Sequence, residues 1–229
     1  MKIKAMFDEI APTYDAVNRA LSLGIDRIWR RQAVAALGDL AGKRVLDLCA
    51  GTMDLTALVG RRFPTARITA LDFSAEMLAR GRHKVEGLRA AVEEVVGDAQ
   101  DLPFDDASFD AALCAFGLRN LDDPRAGLAE LARVLAPGGQ VAILEFFRPE
   151  RGARRVFHDL YNKNVLPAVG GLISGSRAAY RYLAESMESF LSRSELEDVA
   201  GACGLAAMRS SDLFPAAASL VVLRKEESC

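Results

Sequence analysis

Asp47, Asp72 and Asp98 stand at or near the ends of three successive apolar runs, and chemistry is first legible at these acids. The turn DLCAGTMD, Asp47 to Asp54, joins a candidate strand to a candidate helix. Nucleotide-like ligands bind at such turns, on the carboxyl edge of a parallel sheet. Asp72 ends the second run, and an ionised carboxylate has enough acceptor sites to take both hydroxyls of a ribose. Asp98 ends the third unit, so that acids on successive strand ends line one edge of a cleft. Phosphate is poorly served there. After Asp47 the loop offers Gly51 alone, with neither GxGxxG nor GxxxxGK[ST]. Three carboxylates and no lysine suit a phosphate-free adenosine that carries positive charge, and the sulfonium of S-adenosylmethionine is such a ligand. The same residues also read as a structural turn with surface acids, and spacing alone leaves both readings open.

Acids at strand ends require a repeating scaffold, and the chain has the pattern for one. Apolar residues at Phe7, Ile10, Tyr14, Val17 and Leu21 recur at helical steps, and Asp26 is placed to cap a helix from about Arg27 to Leu37. RVLDL then reads as a buried parallel strand and DLTALVGRRF as a helix ending before Pro64. The rhythm repeats with a strand over Arg67 to Phe73 and a helix capped by Ser74. Strands follow at about Ala91 to Val96 and at Phe109 to Phe116. Asp123 and Pro124 supply an N-cap and a first-turn proline for RAGLAELARVL, which Pro137, Gly138 and Gly139 stop before a strand over Gln140 to Phe146. A last helix opens at a capping box, Ser192 with Glu195, and two strands near Ala207 to Asp212 and Ser219 to Arg224 complete seven. Alternation of this kind predicts an α/β fold, a doubly wound and mostly parallel seven-stranded sheet. Between Arg148 and Arg181 the rhythm breaks: seven Lys/Arg stand against two acids, which reads as an inserted helical cap. The 229 residues thus form one domain: an N-terminal helical lid (1–38), a core (39–147), the cap (148–190) and a closing helix with its strands (191–229).

Composition limits the partners. Of the residues, 51% are hydrophobic, and 29 basic side chains face 31 acidic ones for a net charge of −2, so the basic surplus that nucleic-acid binding requires is missing. Cys49, Cys114, Cys203 and Cys229 lie far apart, the pattern of reduced thiols in a cytoplasmic protein. His83 and His158 form no metal-ligand spacing, and no metal is expected. The most apolar short run, VLPAVGGLI, is broken by a proline and two glycines, and Asp8, Glu9, Asp15 and Asp26 interrupt any signal-peptide core.

VLDLCAGT, LDFSAEML, GDAQDLPFDDASFD, FGLRN and ELARVLAPGG, in this order, resemble the class I, Rossmann-like methyltransferases. FGLRN, LEFFRP, YNKNVLP and YRYLAES, with FDEIAPTYDAVNRALSLGIDRIWRR in front, narrow the resemblance to the ubiquinone/menaquinone biosynthesis C-methyltransferases, from about Phe7 to Gly204. The resemblance implies S-adenosylmethionine as cofactor and a polyprenylated quinol as substrate. It carries cofactor contacts onto Gly51, Thr52, Asp72, Met77, Asp98 and Ala99, with Asp47 orienting the loop. Ala115, a further cofactor contact by the resemblance, stands where relatives commonly have a serine, so a side-chain hydrogen bond is lost there and the backbone is left to make the contact. Met53 replaces a glycine of the family's first loop, and FPAAASLVVL replaces a glycine-rich stretch. A methionine in the left-handed region costs about 1–2 kcal/mol; its side chain either crowds the cofactor or turns away.

A quinol carbon becomes a good nucleophile when a ring hydroxyl, with pKa near ~10, loses its proton. The resemblance implies that Arg119 stabilises the phenolate or organises a proton-accepting water; a salt bridge to Asp122 or Asp123 is the alternative reading. Asn120 would hold the loop or a quinol oxygen, while Tyr14, Tyr161 and Tyr180 would contact the head group. Arg148, Arg151, Arg154, Arg155, Lys163, Arg177 and Arg181 beside Phe157, Leu166 and Ile173 suit peripheral contact with an anionic membrane surface. Assembly into a homo-oligomer stays open, as do another small hydrophobic acceptor and a non-catalytic, cofactor-binding role.

Overall fold

The computed structural model describes residues 2–148, 182, 185–214 and 218–227. Seven strands form one sheet: β1 (Arg44–Leu48), β2 (Arg67–Asp72), β3 (Ala91–Val96), β4 (Phe109–Ala115), β5 (Leu135–Glu145), β6 (Leu205–Leu213) and β7 (Ala218–Lys225). Their order across the sheet is β3-β2-β1-β4-β5-β7-β6. The first five run parallel, and β7 pairs antiparallel with both β5 and β6. Strand order reverses between β1 and β4, and ligands bind in the crevice at such a switch point.

Helices cover both faces. They are α1 (Lys2–Ile10), α2 (Tyr14–Leu21), α3 (Asp26–Ala36), α4 (Asp54–Arg62), α5 (Ala75–Val85), α6 (Pro124–Val134) and α7 (Arg193–Ala202). Alternate residues of one strand point to opposite faces, so Leu46 and Leu48 pack with Leu128 and Leu131 of α6 and Leu196 of α7. Val45 faces the other way, toward Trp29 and Val34 of α3 and Leu55 and Val59 of α4. Burial on both faces explains why the central strands are apolar runs without polar alternation.

Local signals held at most helix starts. The Ser74 hydroxyl accepts from Met77 N at 3.1 Å, Asp123 caps α6 ahead of Pro124, and Ser192 and Glu195 form the capping box of α7. Three expectations fail. Asp26 is the first residue of α3 and caps nothing; its carboxylate accepts from Ser22 Oγ at 2.8 Å instead. The stripe from Phe7 to Leu21 is two helices separated at Ala11–Thr13, because Pro12 has no N–H with which to continue a helix. Pro137, Gly138 and Gly139 lie inside β5, which starts at Leu135 and takes up the extra residues as an irregularity against β4, between Phe109 and Ala111.

Candidate active site

The carboxyl ends of β1, β2 and β4 open into a cavity of about 260 Å³. At the switch point itself two non-glycine residues adopt left-handed backbone, Cys49 (φ 57°) after β1 and Phe116 (φ 59°) after β4. Strain of this kind clusters at ligand sites. The two turns touch: a Cβ on Gly117 would lie 2.3 Å from Cys49 Cβ. The neighbouring Cys114 thiol, together with burial, raises the Cys49 thiol well above its usual range.

Asp72 is 4% exposed and lines the cavity. Its oxygens accept from Gly51 N at 2.8 Å and Ser74 N at 2.9 Å, so the carboxylate fixes the β1–α4 loop to the start of α5. A carboxylate has about four acceptor sites, so two stay available for a ligand. Burial raises the Asp72 pKa, and the two backbone donors oppose that rise. Met77, Ala99, Gln100, Ala115 and Asn120 share the lining, as does Asp98. Asp98 lies two residues beyond the end of β3 and is exposed, where it accepts from Gln100 N at 2.9 Å. Helices α1 and α2 line the remaining side. Ile3, Lys4, Phe7 and Tyr14 line the cavity, and Phe7 packs edge-on against Phe73 and Tyr14. Ser74 Oγ donates to Asp8, pinning α1 to the start of α5.

Thr52 and Asp47 stand outside the lining. Thr52 is 4% exposed; its hydroxyl donates to Asp15 and accepts from Lys84 Nζ at 2.8 Å, which ties the loop to α2 and α5. Asp47 accepts from Thr56 N at 2.9 Å and Thr56 Oγ1 at 2.6 Å. It thus caps α4 from a distance, since Met53, at the N-cap position, makes no side-chain cap. Burial lifts the Asp47 pKa to about 6. Met53 has φ 58° and is fully buried with Ala70 and Leu78, so its side chain turns away from the cavity and into the sheet. The loop tolerates the methionine because the left-handed strain is offset by that burial.

Arg119 pairs with neither Asp122 nor Asp123. Its Nη1 donates to Glu145 Oε1 at 2.6 Å and to Phe116 O at 2.8 Å. Both side chains are buried, 7% exposed for Arg119 and 0% for Glu145. Burial raises the Glu145 pKa, and the Arg119 charge opposes the rise. Arg119 Nε donates to no group. Sequence reasoning missed Glu145; a lone acid ending the otherwise apolar β5 was the available signal. Next to Arg119, Asn120 donates to Phe116 O at 3.1 Å and accepts from Tyr182 at 3.2 Å. Tyr14 is half-buried, and burial raises its pKa against the charges of Arg30 and Arg119. Tyr161 and Tyr180, with most of the basic cap, lie outside the described residues.

A family model described as the ubiE/COQ5 methyltransferase family matches residues 1–221. The chain belongs to that family. A demethylmenaquinone methyltransferase of Thermus thermophilus is 47% identical over 199 residues, 87% of this chain and 90% of the relative. A ubiquinone/menaquinone biosynthesis C-methyltransferase UbiE of Geotalea daltonii is 41% identical, over 93% and 91%. Among solved structures, an S-adenosylmethionine-dependent methyltransferase of Aquifex aeolicus superposes with TM-score 0.63 at 20% identity, covering 86% of this chain and 89% of its own. The fold is that of the class I methyltransferases, and the family is S-adenosylmethionine-dependent.

Proposed function

We propose that this protein methylates a ring carbon of a polyprenylated quinol, with demethylmenaquinol as acceptor and S-adenosylmethionine as donor. The observation that carries the reading is one cavity that brings Asp72, Met77, Ala99 and Asn120 together beside the buried Arg119, in a chain matching the family over residues 1–221. Relatives named for demethylmenaquinone stand at higher identity than those named for both quinones, which favours that acceptor.

The residues fit the donor. Asp72 has acceptor sites left for the ribose hydroxyls, and Met77, Ala99 and the backbone beside Asp98 flank the adenine position. When bound, the donor supplies a methyl group on a sulfonium, a good leaving group. The protein's own task is to align the acceptor carbon and to favour the phenolate that forms as a ring hydroxyl loses its proton; once the methyl group has moved, the proton on the methylated carbon leaves and the ring is aromatic again. Arg119 serves the second purpose. It stays charged throughout, Glu145 holds its head in place, and its unspent Nε–H is a donor for an anion. Asn120, held by Phe116 O and Tyr182, positions a quinol oxygen, and Tyr14 closes the lid over the reacting centre. Among the described residues no helix is long and apolar enough to cross a membrane. For access to a bilayer quinol this reading relies on the sequence of the segment 148–181, with seven Lys/Arg against two acids, which suits contact with an anionic membrane surface.

The test is quinone profiling of a deletion strain, complemented by wild type or by Arg119→Met. Accumulated demethylmenaquinone that wild type clears and Arg119→Met does not supports the reading. An unchanged quinone profile on deletion defeats it.

A further inference from the structure

Among the described residues, Leu23, Ile28 and Phe214 are large apolar side chains left in solvent, at 86%, 51% and 85% exposure. Leu23 sits in the turn between α2 and α3 with φ 51°, in the left-handed region that a leucine rarely adopts. Holding it outward there costs both backbone strain and exposed apolar surface, and features of this kind are retained at functional surfaces. The three residues lie at one end of the fold. Ile28 is in the first turn of α3, and the next residue, Trp29, donates from Nε1 to Phe214 O at 2.8 Å, which fixes the chain after β6 against that turn. Trp29 also packs on Phe116 and Phe146, just beyond β4 and β5, with ring centroids 6.3 Å and 6.1 Å away. Because β7 is antiparallel to both of its neighbours, β6 runs in the direction of β5 and ends at the same edge. That edge, where β1, β2 and β4 also end, holds the cavity.

The exposed charge around these residues has one sign. Arg19, Arg27 and Arg31 are exposed and make no salt bridge among the described residues. From Arg19 to Ala35 the one acid is Asp26, which is 7% exposed and accepts from Ser22. We propose that this end of the fold docks on an anionic bilayer, with Leu23, Ile28 and Phe214 entering the boundary between headgroups and acyl chains and Arg19, Arg27 and Arg31 against lipid phosphates. The docking rests on the acceptor being a polyprenylated quinol. A tail of that kind stays in the bilayer, and its head group meets the least water on the way to the cavity when the edge bearing the cavity faces the membrane. Apolar side chains interleaved with unneutralised cations suit lipid headgroups, whereas a second copy seated on the same patch would bring like charges together. The patch is separate in sequence from the basic segment 148–181.

Flotation with vesicles of phosphatidylcholine, alone or mixed with phosphatidylglycerol, tests this on wild type and two variants of exposed residues. The apolar variant is Leu23→Asn/Ile28→Gln/Phe214→Ser, the charge variant is Arg19→Gln/Arg27→Gln/Arg31→Gln, and unchanged melting and S-adenosylhomocysteine affinity certify their folds. Wild type should float with the phosphatidylglycerol vesicles at low salt and separate from them at high salt. The apolar variant should bind at least about tenfold more weakly, from the apolar area withdrawn. The charge variant should lose the preference for phosphatidylglycerol. Turnover of long-tailed demethylmenaquinol in vesicles should fall in step with binding, while a tailless naphthoquinol in solution is methylated at the wild-type rate. Absent flotation of wild type, or full vesicle binding by both variants, would overturn the proposal, the latter by assigning contact to the segment 148–181. A wild-type dimer that the apolar variant turns into monomers in ultracentrifugation would overturn it in favour of a second copy. Docking as expected in a wild type that methylates neither quinol would instead refute the reading of function.

Discussion

Glu145→Gln isolates the buried ion pair at the reaction centre. Gln keeps the length of the side chain and an acceptor for Phe146 N, now at 2.8 Å, but removes the charge that neutralises Arg119. Arg119 is 7% exposed and cannot shed its proton, so the variant leaves a buried, uncompensated cation. Breaking a buried pair from one side costs about 3–5 kcal/mol. At this chain length, each kcal/mol moves the melting temperature by about 2–4 °C, which makes the expected drop roughly 6–20 °C. Arg119→Met should cost less, because Glu145 is already inclined to protonate and can relax by taking up a proton, more readily at low pH. The double variant Arg119→Met/Glu145→Gln removes both charges and should melt within about 1 kcal/mol of wild type, since neutral replacements for buried pairs are often benign. Its methyl transfer should nevertheless be lost. The assay is calorimetric melting beside turnover on demethylmenaquinol. A drop under about 2 °C for Glu145→Gln would show that Arg119 is solvated rather than paired. Turnover in the double variant would remove Arg119 from the chemistry.

Asp72→Asn leaves either Gly51 N or Ser74 N facing an amide N–H as well as removing an acceptor, so S-adenosylhomocysteine affinity should fall by about 1–3 kcal/mol by titration calorimetry; unchanged affinity in a folded variant would refute a contact with the donor. Met53→Gly relieves a left-handed residue but empties a buried site, so stability should fall by about 1–3 kcal/mol, cavity loss outweighing relieved strain. Donor affinity should stay the same, and a tenfold gain would place that side chain in the cavity after all. Asp47, lifted to about 6 by burial, favours the protonated form in the fold, so its contribution is full below the unfolded value and is lost as pH rises through 6. Asp47→Asn keeps an acceptor for Thr56 and should remove that slope, stabilising the protein at pH 7 by up to about 3 kcal/mol in melts between pH 4 and 8; an unchanged slope would contradict the burial argument.

Local and periodic information was legible in the chain itself. Apolar runs punctuated by turns announced seven strands, and Ser74, Asp123 and Ser192 marked helix starts, because capping depends on residues within a turn of one another. FGLRN and its companion motifs announced the family, and Asp72 was visible as the acid ending its strand. Where the chemistry depends on groups distant in sequence, only the fold decided. Asp26 resembles a cap, yet its nearest partner is the Ser22 hydroxyl across the turn. Arg119 has two acids just beyond it, but the sheet carries Glu145 of β5 beside it, and a buried guanidinium pairs with the carboxylate in reach rather than with one in solvent. Thr52 reads as a ligand contact in sequence, and only the fold shows that α2 and α5 engage its hydroxyl from either side. Met53 posed a choice that sequence could not make, since the direction of a side chain at a left-handed loop residue depends on whether the neighbouring helix and strand leave it a pocket; here Ala70 and Leu78 do.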